Sequence, residues 1–473
     1  MKWLLLLAAL LVALAGVVAL AAVDRAGVPP RRLAPYLERR ASGHRAEIEG
    51  AAHRVASVLV ALDRGGERNL RGPVPIPRWT DATTTAPENP ANVVLVTSVE
   101  EARHAITQAK RGDTITFVPG VYRFHGNYIE ASAPGSEAAP IVVRAVAPGS
   151  VVLEFDMVEG FLVTAPYWTF ENLTIRGACR DHSDCEHAFH VVGAATHFVA
   201  RHDDIADFNA HFKINGSGGA FPDHGIIEGN TIHNGSVRNT GNPVTPIDLV
   251  AASHWRIRGN RISDFVKGQS DRISTGGFAK GAGVDNRFEA NVVVCEDRLR
   301  GAPGQRVGLS LGDGGTGHAY CRDGRCITEQ ERSAIVSNLI AYCSDDGIYL
   351  NRAAISEVSH NTLIDTGGIV ARFGETSADV EGNVVDGPIR AFAGATIHPR
   401  DNVATHVWQL YLGWHPARGL FEGALALDLR WHGAPPRRRG VNASPPDLCG
   451  TKRPRQTAYG AFEDVEYCMR GGR

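Results

Sequence analysis

Ile227-Glu228-Gly229-Asn230-Thr231-Ile232 and, thirty residues later, Ile257-Arg258-Gly259-Asn260-Arg261-Ile262 are two copies of one unit. Each is a short alternating run, an Asn, and a second apolar run. The unit recurs as Phe170-Glu171-Asn172-Leu173-Thr174-Ile175, as Phe288-Glu289-Ala290-Asn291-Val292-Val293-Val294, and around Asn338, Asn361 and Asn383. The steps from Asn230 onward are 30, 31, 47, 23 and 22 residues. Recurrence on this scale is the signature of a solenoid, in which each repeat buries its apolar face only against its neighbours.

Helical solenoids are excluded because the apolar positions are β-branched and punctuated by Gly. Leucine-rich repeats are excluded because no LxxLxL pattern occurs. A coil of a parallel β-helix needs about one such period for three short strands and their turns. An Asn at the same corner of successive coils can stack its amide on the next and tie down turn backbone. The 52 Gly and 25 Pro against 3 Met also favour tight turns over long helices.

The 473 residues are 43% hydrophobic and 21% charged, which excludes a disordered or polytopic membrane chain. Lys and Arg total 49 against 51 Asp and Glu, so no basic footprint for nucleic acid exists. Residues 93–403 are assigned to the β-helix and 404–473 to a C-terminal extension. Before them stand an apolar run ending at Val23, a helical spacer over 24–72, and a linker over 73–92 rich in Pro and Thr. The spacer has apolar residues at Ile48, Ala52, Val55 and Leu59, a helical spacing.

Leu4 to Val23 carries no charge and is long enough for either a signal peptide or a membrane anchor. Ala19-Leu20-Ala21 favours cleavage; Arg25, Arg31, Arg32, Arg39 and Arg40 on the distal flank argue against export. Eight Cys without a CxxC suit an oxidising compartment. The expected pairs are Cys179–Cys185, Cys321–Cys326, Cys449–Cys468 and Cys295–Cys343, with buried free thiols as the alternative. An extracytoplasmic monomer follows.

Val93 to Gly177, with Glu100-Glu101-Ala102 opening a helix and then Gly112-Asp113-Thr114-Ile115 and Pro119-Gly120-Val121-Tyr122, resembles the cap and first coils of right-handed parallel β-helix (pectin lyase-like) proteins. It is especially similar to the chondroitinase B and alginate lyase group. The ending Asp447-Leu448-Cys449-Gly450-Thr451-Lys452-Arg453-Pro454, then Gly460-Ala461-Phe462-Glu463, resembles a DxxGxxRP…GAxE ending of bacterial β-helix proteins. The resemblance implies an all-β, single-stranded right-handed parallel β-helix with an N-terminal helical spacer and cap. It also implies carbohydrate chemistry, although this fold hosts lyases, hydrolases and inert scaffolds alike.

The strands assigned to precede the Asn corners read Phe189-His190-Val191, Phe212-Lys213-Ile214, Ile247-Asp248-Leu249, Leu309-Ser310-Leu311, Ile348-Tyr349-Leu350 and Ile389-Arg390-Ala391. Apolar flanks point inward and the changing middle residue points out. The outward column is thus His190, Lys213, Asp248, Ser310, Tyr349 and Arg390, with Lys280 and Arg372 at strand ends.

Splitting a uronate-containing polysaccharide by β-elimination needs a cation to neutralise the carboxylate and a base to take the adjacent proton. Lys213 and Lys280 are candidate base or neutraliser, and His190 and Tyr349 are candidate proton carriers. Asp248, Ser310, Arg306, Arg372 and Arg390 are candidate substrate contacts. The resemblance implies that Lys280, followed by Asn286 and Asn291, is the catalytic Lys, with Arg300 or Arg306 as its Arg.

The Glu pair that would precede that Lys and help hold calcium is missing, Arg272-Ile273-Ser274-Thr275 standing there, so no cofactor is assigned. Two other functions stay open: a non-catalytic carbohydrate-binding or envelope scaffold, and a glycoside hydrolase using Asp345 and Asp346. His182, Asp184, Glu186 and His187 have metal-ligating side chains but read better as a polar disulfide loop.

Overall fold

The computed structural model describes residues 14, 16–18, 20–65, 92–439 and 446–469, without the side chains of 468 and 469. Most of the apolar run 4–23 and nearly all of the linker 73–92 lie outside them, as does the Cys468 side chain. No helix among the described residues is long and apolar enough to cross a membrane.

Short strands rich in Val, Ile and Phe wind into coils. Their strands stack into a first sheet of 12 strands, a second of 11 and a third of 10. The strand pairings within all three are parallel, as in Phe189↔Phe212↔Ile247 of the third sheet and Ile205↔Ile232↔Ile262 of the second. Inward side chains stack from coil to coil. The rings of Phe161, Phe189 and Phe212 lie 5.4 and 5.2 Å apart and are fully buried. Stacking like side chains in register buries them against one another, the arrangement that dispersion and apolar burial both favour.

The Asn corners form a continuous ladder between the first and second sheets. Asn230 donates from its backbone N–H and Nδ2 to Asn260 Oδ1 at 3.0 and 3.1 Å. Asn260 does the same to Asn291, and the relay continues through Asn338, Asn361 and Asn383 to Asn402, which the repeat pattern had not included. Each amide also donates to a strand carbonyl, as Asn260 Nδ2 does to Ile227 at 2.8 Å.

Asn172 is not in the ladder. It occupies the preceding position with φ 61°, equivalent to Gly229 at 65° and Gly259 at 63°. The ladder site of that coil is Leu173, and of the next coil Asp203, whose Oδ1 accepts the Leu173 N–H at 2.8 Å. Asn tolerates the left-handed region better than most residues, which is why its presence there imitated the motif.

A second correction concerns order along the chain. The third-sheet strands do not directly precede the Asn corners. The first-sheet strand Ile226–Glu228, for example, lies between Ala210–Asn215 and Asn230.

The first coils are capped by helix α3 (Val99–Thr107), following helices α1 (Pro30–Ala41) and α2 (Ala46–Arg64). The Ser98 hydroxyl accepts the Glu101 N–H at 3.1 Å, and Glu101 accepts the Thr97 N–H at 2.8 Å. This fixes the helix start so that Ala102 and Ile106 cover the open end of the core. The C-terminal extension places Phe421, Leu429 and Phe462 on the outer face of the second sheet, against Val292, Leu339 and Val384. Asp447 there accepts the N–H groups of Cys449, Thr451 and Glu463, tying the two ends of the terminal motif together.

The helices read as a spacer instead form a hairpin docked on the last coils. Arg31 is buried between Asp63 at 2.6 Å and Asp365 at 3.1 Å, and also donates to the Cys343 carbonyl. Disulfides join Cys179–Cys185, Cys295–Cys343 and Cys321–Cys326, and Cys449 is also disulfide-bonded.

Candidate functional site

The outward face of the third sheet is in register as the alternation predicts. His190 pairs with Lys213, Lys213 with Asp248, and Ser310 with Tyr349. Phe278 fills the step between Asp248 and Ser310, and Val370 the step between Tyr349 and Arg390. Lys280 and Arg372 lie two residues further along their strands and so share that outward face.

A cavity of about 1010 Å³ opens on this face. It brings together Lys213, Asp248, Lys280, Tyr349 and Arg372, with Lys267, Asp271, Ser274 and Asp313 added from strand ends and bends. Lys280 Nζ sits 4.4 Å over the Phe278 ring and 3.9 Å from Asp313. Tyr349 stands two strands away and Arg372 one strand beyond it. The strand between Lys280 and Tyr349 lines the cavity with Gln305 and Val307 and sets Ser310 in register between Phe278 and Tyr349. Two strand spacings, about 10 Å, separate the Lys280 strand from the Tyr349 strand.

The Tyr349 hydroxyl accepts from Asn351 Nδ2 at 3.1 Å and from Arg372. Burial raises its pKa and Arg372 opposes that shift, so the phenol stays protonated at neutral pH. Burial likewise raises Asp313, against the attraction of Lys280. Arg372 is exposed and has no carboxylate within ion-pair distance among the described residues. Lys213 is held by Asp248 and Lys267 by Asp271, each at 2.8 Å. Asp248 Oδ1 and Ser274 Oγ, both on the cavity lining, are buried without a hydrogen-bond partner. Such atoms are costly to leave unpaired and match the hydroxyls of a sugar.

Four expected residues do not reach the cavity. Arg306 is almost fully buried, bonded to Glu296 at 2.9 Å and to the carbonyls of Ala302 and Pro303. The Ser310 hydroxyl turns inward to the carbonyls of Gly312 and Tyr349. Arg390 is covered by the chain preceding α1, donating to Gly27 and Gly367 carbonyls, and burial lowers its pKa to about 10. His190 lies further along the groove with both ring nitrogens engaged, by Glu159 and Asn215 at 2.9 Å.

The contribution of α1 is not legible in the sequence, where residues 24–72 read only as a helical spacer. Arg32 binds Asp345 at 2.7 Å and Asp346 at 2.5 Å, and Asp346 also faces Arg390 at 3.5 Å. Burial, then the neighbouring Asp345, raises Asp346, while the arginines oppose the shift.

The pair is thus occupied by cations rather than held 5–10 Å apart around an empty gap, as glycoside hydrolysis asks. The same pairing decides calcium. Asp248, Asp271, Asp313, Asp345 and Asp346 each face a Lys or Arg within 4 Å, so this donor set does not fit a calcium ion. The Cys321, Asp323 and Cys326 group offers no thiolate, both Cys being disulfide-bonded.

No protein-family model and no curated protein matches the chain. Among solved structures, pectate lyase Pel9A matches with a TM-score of 0.51 at 13% identity, over 80% of this chain and 98% of that one. A rhamnogalacturonan lyase matches at 0.43 and 12%, over 62% and 79%. The PL6 family alginate lyase AlyGC matches at 0.33 and 16%, over 67% of this chain and 51% of that one. At these identities the likeness concerns the fold, and the Pel9A match carries it. With three stacked parallel sheets and an Asn ladder, the chain has the single-stranded right-handed parallel β-helix fold.

Proposed function

We propose that the protein cleaves a uronate-containing polysaccharide by β-elimination in the third-sheet groove. The observation that carries this reading is that Lys280, Tyr349 and Arg372 line one cavity on the outward face of the third sheet. Arg372, having no carboxylate partner, binds the uronate carboxylate and makes the adjacent carbon acidic. Lys280, as the neutral amine, takes the proton from that carbon. The carbon–oxygen bond to the leaving sugar breaks as the double bond forms, and Tyr349 gives its proton to the departing oxygen.

Lys213 and Asp248 bind the neighbouring sugar, Asp248 Oδ1 accepting a hydroxyl. Arg306, Arg390 and Ser310 support the coils around the site, and His190 lines the distal groove. The disulfides favour an oxidising compartment, so the protein is exported, whether released or anchored. The reading is tested by ultraviolet absorbance of unsaturated uronate on alginate, chondroitin, dermatan and pectate. Absorbance on one of them, lost in Arg372→Ala, is expected. Silence on all four would leave a non-catalytic binding protein.

A further inference from the structure

The groove is open at one end and closed at the other. At the coils of Leu162, His190 and Lys213 the outward residues remain partly exposed. At the last coil the column residue Arg390 is only 8% exposed, because the Gly27 carbonyl accepts its Nη1. Val28, Arg32, Leu33 and Tyr36 then stand along the cavity as a wall. Arg39, also on that wall, has no carboxylate within ion-pair distance among the described residues.

This wall is a fixed part of the fold. The Arg31, Asp63 and Asp365 cluster beneath it is buried. The Tyr411 hydroxyl donates to the Val28 carbonyl at 3.1 Å, and the His415 ring meets the Leu62 carbonyl at 2.9 Å. Breaking buried ion pairs of this kind is costly, so the hairpin does not swing away to admit a ligand.

We propose that the groove is blind, and that the protein therefore takes the end of an acidic polysaccharide chain rather than its interior. The inference rests on the groove being the polysaccharide site, not on the reaction performed there. A chain threading along the coils would run into α1. From the Ser310 strand to the Arg390 strand is three strand spacings, about 14 Å. That length holds a fragment of about two or three sugar rings, whose terminal carboxylate would meet Arg39.

The test is the stoichiometry of binding to size-fractionated polyuronates, measured by calorimetry with the full-length Lys280→Ala variant to suppress cleavage. Bound protein per chain is expected to stay near one as the chain lengthens. Stoichiometry rising in proportion to chain length would overturn the proposal, as would no binding to any of the four polymers. In the wild type, unsaturated products at low conversion are expected to be short, and a Tyr36→Ala, Arg39→Ala double variant should shift them to longer ones. Long oligosaccharides appearing first in the wild type would also overturn it. End binding without any unsaturated product would remove the elimination reading and leave the blind groove standing.

Discussion

Arg32 Nη2 lies 2.5 Å from Asp346 Oδ2, so a helix that precedes the first coil by some 60 residues is bonded to the carboxylate pair of a late one. The same guanidinium reaches Asp345. If this pair performed acid–base hydrolysis, Asp345→Asn would cost about 10²–10⁴ in rate. Because both carboxylates are engaged by arginine, Asp345→Asn is expected to keep cleavage within about tenfold of wild type while loosening the hairpin. Steady-state rates and thermal unfolding of the one variant separate the two roles.

The Arg31–Asp63 pair should matter more for stability than for chemistry. Both side chains are buried, and removing Asp63 leaves Arg31 only the longer contact with Asp365 and the Cys343 carbonyl. Asp63→Ala is expected to destabilise by up to about 3–5 kcal/mol and to make α2 more sensitive to limited proteolysis. Unchanged proteolysis and melting would mean that the hairpin is not anchored there.

Asn260→Ala and Asn172→Ala should differ sharply although both residues belong to the same sequence motif. Asn260 Oδ1 accepts two donors and its amide donates to Ile227 and Asn291, all in a dry corner. Its loss leaves several buried groups unpaired, about 1–3 kcal/mol each. Asn172 makes one long side-chain bond of 3.5 Å to the Ala145 carbonyl and serves mainly its left-handed φ. Asn172→Gly should be near neutral. Chemical denaturation of the three variants checks this.

The contrast also shows which parts of the molecule could be read in advance. The outward column from His190 to Arg390 was legible because strand alternation has a period of two and the coils repeat in register. Which of its members would be free was not legible. Ser310 and Arg390 face outward by register, yet one bonds its own turn and the other lies under Gly27. Burial of that kind depends on α1, whose partners Asp345, Asp346 and Asp365 are more than 300 residues away. Nothing local in an Arg-rich helix reports them. Asp313 and Asp271 were not assigned to the site because they lie outside the strands, where no periodicity applies.

Asp203 offers a test by pH. Burial raises its pKa well above the usual carboxylate range, against the pull of the Leu173 N–H. The folded state therefore binds this proton more tightly than the unfolded one. The contribution is fully present below the ordinary Asp pKa and is lost as pH rises through the raised folded value. Asp203→Asn restores a neutral ladder residue, so it should raise the melting temperature at neutral pH by several degrees and change it little near pH 3. Equal gains at both pH values would show that Asp203 does not titrate with folding.

The central claim is elimination, and it is tested most directly by the mass of the products formed in heavy-oxygen water. Elimination breaks the glycosidic bond without water. Each cut should give one fragment with an unsaturated terminal sugar and no heavy oxygen incorporated at the new ends by the cleavage itself, and Lys280→Ala should abolish both fragments. Fragments carrying one heavy oxygen per cut, with no unsaturated sugar, would show hydrolysis and contradict the roles assigned to Lys280, Tyr349 and Arg372.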